Sequence, residues 1–106
     1  MAYEFLLYSV NERIATITVN RPDKLNALND VTIGELGDAI DEARDDDAVG
    51  GVIVTGSGRA FVAGADIAEL RSKKPLQAAK LALRGQKVFA RYESSAKPVI
   101  AAVNGF

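Results

Sequence analysis

Two short, mostly apolar runs limit what this chain can fold into. The runs, Gly51–Thr55 and Val99–Val103, each have the length and side-chain content of a strand buried on both faces. A stretch of helical periodicity, residues 75–94, lies between them. Strands that alternate with helices are typical of a layered α/β fold in which some strands pair in parallel.

The N-terminal segment predicts a β-hairpin. Residues 3–9 alternate loosely between apolar and polar, and residues 13–20 are rich in β-branched side chains, so each stretch predicts a strand. Asn11 and Glu12 make the connection short, but they carry no Asn-Gly signature, and the turn type stays open. Pro22 cannot donate a hydrogen bond to a neighbouring strand and therefore ends the second strand.

A helix is predicted over residues 31–44. Asn29 or Asp30 can serve as its N-cap. Gly34 and Gly37 lie inside it, and each costs about 1 kcal/mol relative to Ala. Tertiary packing must therefore hold this helix together. Its apolar residues recur at steps of three and four and form one stripe: Ile33, Leu36, Ile40 and Ala43.

Between the two apolar runs, the sequence predicts a further short strand and two helices. Ala60–Val62 is the candidate strand, a short helix covers residues 66–72, and a longer helix covers residues 75–94. The predicted order is β-β-α-β-(β)-α-α-β, which is an α/β arrangement. The length predicts one domain, residues 1–106.

The composition excludes several classes of chemistry. The 106 residues include 13 Lys and Arg against 14 Asp and Glu, with no His and no Cys. Without His there is no imidazole base and no Ser-His-Asp triad. Without Cys there is no disulfide framework, zinc ribbon or thiol nucleophile. The net charge of −1 and the lack of a basic cluster argue against a nucleic-acid partner.

Neither a membrane span nor a metal site is expected. The apolar runs are shorter than the roughly 20 residues that a span needs, and residues 1–5 lack the basic and apolar regions of a signal peptide. We therefore expect a soluble cytoplasmic protein, since the lack of Cys fits a reducing compartment. The acids Asp45–Asp47 could be interpreted as a metal site, but no other suitable ligand clusters with them, so we expect a solvated connection.

The segment Gly56–Ile67 is the part of the sequence best suited to chemistry. Gly64 permits a sharp turn between small neighbours, and a helix starts near Asp66. Free N–H groups at a helix start attract anions, and an N–H aimed at a carbonyl oxygen that gains negative charge is half of an oxyanion hole. The plain alternative is a turn in which Asp66 caps the helix and Glu69 completes a capping box.

Three segments together resemble the enoyl-CoA hydratase/isomerase (crotonase) superfamily. They are Ile17-Thr-Val-Asn-Arg-Pro-Asp-Lys-Leu-Asn-Ala-Leu-Asn29, Val54-Thr-Gly-Ser-Gly-Arg-Ala-Phe-Val-Ala-Gly-Ala-Asp-Ile67 and Lys97-Pro-Val-Ile-Ala-Ala-Val-Asn-Gly-Phe106. The resemblance extends over essentially the whole chain. It implies a crotonase-like spiral of ββα units, truncated here, which assembles as trimers or dimers of trimers and acts on acyl-CoA thioesters.

The resemblance also implies roles for individual residues. The Ala65 N–H matches the first of two backbone donors that stabilise the oxyanion of a thioester enolate in the family. The expected ligand is a coenzyme A thioester bound as a substrate, with no permanently bound cofactor. The positions that match contacts to coenzyme A lie in the loop after the second strand and in the turn around Ala65: Lys24, Leu25, Asn26, Ala27, Ala63, Asp66 and Ile67.

Several of these residues also have a plain structural alternative. Lys24 either stays solvated in its loop or approaches a phosphate of coenzyme A. Asn26 can hold its loop by Asx-type hydrogen bonds, which we favour over ligand contact. Asp66 is first a helix cap. Arg59 can meet a phosphate, but a solvated turn residue is the favoured interpretation.

The match covers the N-terminal portion of the family's chain, somewhat under half of it. In the family, the second oxyanion donor and the catalytic glutamates follow the position of Phe106, and neither Glu69 nor Glu93 matches them. A hydratase needs a positioned carboxylate to move a proton. The sequence therefore predicts an N-terminal fragment of an acyl-CoA hydratase or isomerase that is inactive alone.

Two other functions stay open. A non-catalytic, self-associating ββα module would use a strand such as residues 99–103, because exposed strand edges pair with other chains. A homo-oligomer is therefore expected. An acyl-CoA-binding protein without turnover would need half a site to bind its ligand usefully.

Overall fold

The computed structural model describes residues 2–106 as a four-stranded sheet with helices. The sheet order is β1-β2-β3-β4, antiparallel between β1 and β2 and parallel at the other two pairings. The predicted α/β class with partly parallel pairing is confirmed. In chain order the elements are β1 (Leu6–Asn11), β2 (Ile14–Val19), a 3-10 turn (Pro22–Lys24), α1 (Asp30–Asp45), β3 (Gly51–Gly56), α2 (Ile67–Arg71), α3 (Pro75–Glu93) and β4 (Val99–Ala101).

Strands β1 and β2 form the predicted hairpin, but its two-residue turn is Glu12-Arg13, one residue later than the predicted connection, because Asn11 belongs to β1. Glu12 and Arg13 both have positive φ, 50° and 67°, as in a type I′ turn, whose twist matches that of the flanking strands. β1 begins later than predicted. The N–H groups of Glu4 and Phe5 donate to the Glu35 carboxylate on α1, at 2.6 and 2.8 Å, so they are not available to a strand partner.

The core lies between one face of the sheet and helix α1. Alternate residues of a strand point to the same face, and in β2 these are Ala15, Ile17 and Val19, all fully buried. Asn29 caps α1, since its side-chain oxygen accepts from the Thr32 N–H at 2.9 Å. The whole predicted stripe of α1 is buried in this core: Ile33, Leu36, Ile40 and Ala43.

Helix α3 packs on α1 where a glycine leaves room for it. A Cβ at Gly37 would lie 2.9 Å from Arg91 Nη2 and 3.3 Å from Val88 Cγ2, so the missing side chain permits the close approach. The Tyr92 hydroxyl of α3 donates to the Leu36 carbonyl of α1 at 2.6 Å. Contacts with α3 therefore supply the tertiary support that the glycines of α1 require.

Two strand predictions differ from the structure. No strand forms over residues 60–62. The Ala60 carbonyl accepts the side-chain amides of Asn26 and Asn104 in place of a backbone N–H from a neighbouring strand. The predicted buried strand at residues 99–103 is shorter, three residues, and it is largely exposed. It lies at the edge of the sheet, and Ile100 is 63 % exposed.

Candidate functional site

An isolated parallel β-bridge between Leu28 and Ala65 connects the loop after β2 to the turn before α2. The Leu28 N–H donates to the Gly64 carbonyl at 2.8 Å, and the Asp66 N–H donates to the Leu28 carbonyl at 2.9 Å. Because both bonds use the neighbours of Ala65, the N–H of Ala65 itself points away from Leu28. Gly64 has a φ of 120°, which side-chain-bearing residues rarely adopt.

The Ala65 N–H has no acceptor in the part of the chain that the structure describes, residues 2–106. Ala65 is exposed and forms part of the wall of a cavity of about 370 Å³ beside the three helices. Gln86 supplies the one polar side chain among the residues of that wall. The site thus combines an unpaired backbone donor with an apolar cavity, which suits a carbonyl oxygen attached to an apolar chain.

Arg21 connects the two segments of this bridge. Its guanidinium donates to the Ala27 carbonyl at 2.6 Å and to the Asp66 carboxylate at 3.1 Å. The guanidinium carbon also lies 5.0 Å from the centre of the Phe5 ring. Arg21 is 8 % exposed, so these partners, and not water, stabilise the charge of its guanidinium.

Asp66 caps α2 as predicted, but the capping box is only half formed. One carboxylate oxygen accepts from the Glu69 N–H at 3.1 Å. The Glu69 carboxylate accepts instead from the Asp30 N–H, at 2.8 Å, and so joins α2 to α1. The hydrogen bond from the Glu69 N–H, followed by the hydrogen bond and charge of Arg21, lowers the pKa of Asp66 below its ordinary value despite partial burial.

Asn26 is fully buried, and both polar atoms of its side chain form internal hydrogen bonds. The side-chain oxygen accepts from the Arg21 N–H at 2.8 Å, and the amide donates to the carbonyls of Ser57 and Ala60, each at 2.9 Å. Its φ of 59° lies in the left-handed region, which Asn tolerates better than most residues. These contacts agree with the interpretation of Asn26 as a loop-holding residue, and its contact with coenzyme A stays a prediction.

The other predicted residues lie around the same turn. The Ala63 N–H donates to the Leu25 carbonyl at 3.1 Å, so the loop and the turn run side by side. Lys24 and Arg59 are exposed, and Ile67 is 70 % exposed. The structure therefore brings the predicted loop and turn residues together, with Asn26 buried and the others exposed or half-buried. Their contacts with coenzyme A stay predictions.

The C-terminal segment meets the same region through Asn104. Its side-chain oxygen accepts from the Gly56 N–H at 3.1 Å, and its amide donates to the Gly58 carbonyl at 3.1 Å. The Phe61 N–H donates to the Phe106 carbonyl at 2.8 Å. All three sequence segments that carry the family resemblance thus converge on residues 56–66.

Sequence reasoning assigned no role to Arg21, Leu28 or Asn104. All three lie inside the motif segments, which is the one signal that marks them. Their partners are distant in the chain: Arg21 and Asp66 are 45 positions apart, and Asn104 and Gly56 are 48 positions apart. One sequence alone does not reveal such pairs.

The acidic run after α1 makes local contacts. Asp45 pairs with Arg44 at 2.9 Å, and Asp46 accepts from the Ala48 N–H at 2.9 Å. Within residues 2–106, no three His, Cys, Asp or Glu side chains cluster as metal ligands would. Of the helices that the structure describes, none has both the length and the apolar character that a membrane crossing requires.

This chain matches a family model and curated relatives from several organisms. The family model for enoyl-CoA hydratase/isomerase matches residues 9–106. The crotonyl-CoA hydratase of Syntrophomonas wolfei is 48 % identical over an alignment of 107 positions, which covers 100 % of this chain and 41 % of that protein. The short-chain-enoyl-CoA hydratase of Clostridium acetobutylicum is 48 % identical over 95 residues, which are 89 % of this chain and 36 % of that protein.

Solved structures give the same result. An enoyl-CoA hydratase/isomerase from Xanthobacter autotrophicus Py2 matches with a TM-score of 0.90 at 37 % identity, covering 98 % of this chain and 40 % of that one. An enoyl-CoA hydratase from Bacillus anthracis matches with a TM-score of 0.92 at 26 % identity, covering 96 % and 40 %. The chain therefore spans about two fifths of the length of these relatives.

Proposed function

Because the chain belongs to the enoyl-CoA hydratase/isomerase family, we propose that it supplies one half of a site for acyl-CoA thioesters. In this proposal the Ala65 N–H is a hydrogen-bond donor to the thioester oxygen. The observation that carries it is that this N–H, beside an apolar cavity, donates to nothing else in the described chain. The crotonyl-CoA and short-chain-enoyl-CoA hydratases among the relatives support the acyl-CoA class.

The proposed role of the Ala65 N–H is electrostatic. When a thioester becomes an enolate, its carbonyl oxygen gains negative charge, and a fixed donor lowers the energy of that state. The bridge to Leu28 holds the donor before any substrate arrives, so little reorganisation is needed. Removing one donor of an oxyanion pair costs about 10²–10³ in rate, so half a pair is a poor catalyst.

Proton transfer is the part of the reaction that this chain does not provide in our proposal. Glu69 accepts from the Asp30 N–H, Asp66 pairs with Arg21, and the described residues of the cavity wall include no Asp or Glu. Hydration and isomerisation both need a group that moves a proton. We propose that the second donor and the glutamates implied by the family belong to the portion of the relatives that this chain does not cover, and that the chain alone is inactive.

The loop after β2 and the turn before α2 supply the proposed contacts for coenzyme A. Residues 24–27 lie beside Ala63, and Lys24 carries a charge suited to a phosphate. Asp66 and Ile67 continue the same surface at the start of α2. The thioester is a substrate in this proposal, and no cofactor is held permanently. We place the protein in the cytoplasm, which the absence of Cys fits.

A second candidate function is that of a non-catalytic, self-associating module. The exposed edge at the C-terminal end favours it, since Ile100, Val103 and Phe106 are 63 %, 66 % and 63 % exposed. Apolar edge strands pair with other chains, so we propose a homo-oligomer under both functions. A monodisperse monomer in sedimentation at micromolar concentration would contradict this proposal.

Two measurements test these functions, and the second of them, calorimetry, separates the two. Crotonyl-CoA hydration by the purified chain should be no faster than in buffer, and turnover that Ala65→Pro abolishes would show that the uncovered portion is not required. Calorimetry with acetoacetyl-CoA, with free coenzyme A as the control, should detect binding that depends on the acyl group. Ala65→Pro removes the N–H and should abolish that binding, whereas Ala65→Gly keeps the N–H and should retain it. No heat with acetoacetyl-CoA up to millimolar concentration would leave the self-associating module as the better function.

A further inference from the structure

We propose that Arg21 is a positioning residue that fixes the orientation of the Ala65 N–H. Arg21 lies outside the wall of the cavity, so its effect passes through the bridge between Leu28 and Ala65. The inference rests on the proposed function in one respect, which is that the Ala65 N–H is the donor. The claim that Arg21 holds the bridge together stands on geometry alone.

The guanidinium spans the bridge from one segment to the other. One nitrogen donates to the carbonyl of Ala27, the residue directly before Leu28, at 2.6 Å. The other donates to the carboxylate of Asp66, the residue directly after Ala65, at 3.1 Å. Both partners of the bridge are therefore held by one rigid, planar group within one residue of their own positions.

Arg21 is itself held in place on several sides. Its N–H donates to the Asn26 side chain at 2.8 Å, and its carbonyl accepts from the N–H groups of Lys24 and Asn26 at 3.0 and 2.9 Å. The Phe5 ring lies against its guanidinium. A residue fixed at both its backbone and its side chain can transmit that fixed position to the bridge. A lysine at this position would carry the charge but could not form the fork.

The bridge needs such support because it is weak by itself. It consists of two backbone hydrogen bonds outside any named strand, and Ala65 is exposed. Segments with few buried contacts open locally at low free energy. The charge-assisted bond between Arg21 and Asp66 is stronger than a neutral one. Because Asp66 also caps α2, this bond ties the residue directly after Ala65 both to Arg21 and to the start of α2.

Amide hydrogen exchange tests the role of Arg21. The probes are the N–H groups of Leu28 and Asp66, which form the bridge, compared with the N–H groups of the β2–β3 pairing. We expect Arg21→Lys and Arg21→Met to speed exchange at both probes by about tenfold or more, the change that loss of a charge-assisted bond gives. The ¹⁵N-amide resonance of Ala65 should shift in both variants. Arg44→Met, which removes an exposed ion pair, should change neither.

Three results would overturn the role of Arg21. They are wild-type exchange at both probes in Arg21→Lys, exchange that rises equally across the β2–β3 pairing, and an unshifted Ala65 resonance. If the Arg21 variants unfold, Asp66→Asn serves in their place, since it removes the charge and keeps a capping side chain. Titration of the wild type with acetyl-CoA is scored separately. An Ala65 resonance that does not shift when acetyl-CoA is added would refute the proposed function. The exchange data would still decide whether Arg21 holds the bridge.

Discussion

The side-chain amides of Asn26 and Asn104 donate to the same acceptor, the carbonyl oxygen of Ala60, at 2.9 and 3.2 Å. Asn26 is fully buried, whereas Asn104 is exposed. Two side chains therefore provide what a neighbouring strand would otherwise provide. The segment that leads to Ala65 is ordered by them without becoming a strand.

We expect Asn26→Ala to cost about 2–3 kcal/mol in the free energy of unfolding, because it leaves buried backbone groups without partners. Asn104→Ala should cost less than about 1 kcal/mol, since water can replace an exposed amide. Urea unfolding of the two variants and the wild type measures both values. If both variants lose the same free energy of unfolding, the prediction that burial makes the Asn26 hydrogen bonds the more stabilising ones is wrong.

The contribution of Asp66 to stability should depend on pH. Its pKa is lowered in the folded state by the Glu69 N–H and by Arg21, so its contribution is complete above the unfolded value of about 3.9 and is lost as the pH falls through the folded value. Asp66→Asn keeps a capping oxygen but removes the charge. The difference in unfolding free energy between the wild type and this variant should therefore shrink below about pH 4. If this difference in unfolding free energy stays constant as the pH falls, the Asp66 charge does not stabilise the fold through Arg21.

Tyr92 should weaken the fold in alkaline solution. Burial raises the pKa of its hydroxyl, and that hydroxyl donates to the Leu36 carbonyl. A raised pKa means that the contribution is complete below the unfolded value of about 10 and is lost as the pH rises above it. Tyr92→Phe should cost about 0.5–1.5 kcal/mol near neutral pH and should lose less stability than the wild type between about pH 9 and about pH 11. If the wild type and Tyr92→Phe lose the same free energy of unfolding in that range, ionisation of Tyr92 does not weaken the fold.

Two glycines should respond in opposite ways to alanine. A Cβ at Gly56 would collide with the backbone carbonyls of Ala60 and Phe61, so Gly56→Ala should destabilise by about 1–3 kcal/mol. Gly85 lies in α3, and its added Cβ would meet Ile33 Cδ1 at an ordinary 3.6 Å. Gly85→Ala should therefore stabilise by about 0.5–1 kcal/mol through helix propensity. Thermal unfolding ranks the two variants against the wild type, and the reverse order would contradict the packing around Gly56.

Local signals in the sequence predicted the elements well where side chains act on their own neighbourhood. The N-cap Asn29 and the apolar stripe from Ile33 to Ala43 defined α1, and every stripe residue is buried. The strand predicted over Gly51–Thr55 forms as β3, and it pairs in parallel with β2. The prediction of a strand over residues 60–62 was wrong. Asn26 and Asn104, which are distant in the sequence, donate hydrogen bonds to the backbone there.

The site was only partly predictable for the same reason. Motif resemblance selected Ala65, and the structure adds that its N–H has no acceptor within residues 2–106. What fixes that N–H is the long-range pairing of Leu28 with Ala65 and of Arg21 with Asp66. Periodicity and capping rules describe neighbours along the chain, so they do not contain these pairs.

The central claim is that the Ala65 N–H recognises a thioester oxygen, and amide NMR of the ¹⁵N-labelled chain tests it most directly. The chain is titrated with acetyl-CoA and, separately, with S-ethyl-CoA, a thioether that lacks the carbonyl oxygen. We expect acetyl-CoA to move the Ala65 resonance and S-ethyl-CoA to leave it in place. Equal shifts with both ligands, or no shift of Ala65 with acetyl-CoA, would contradict the claim.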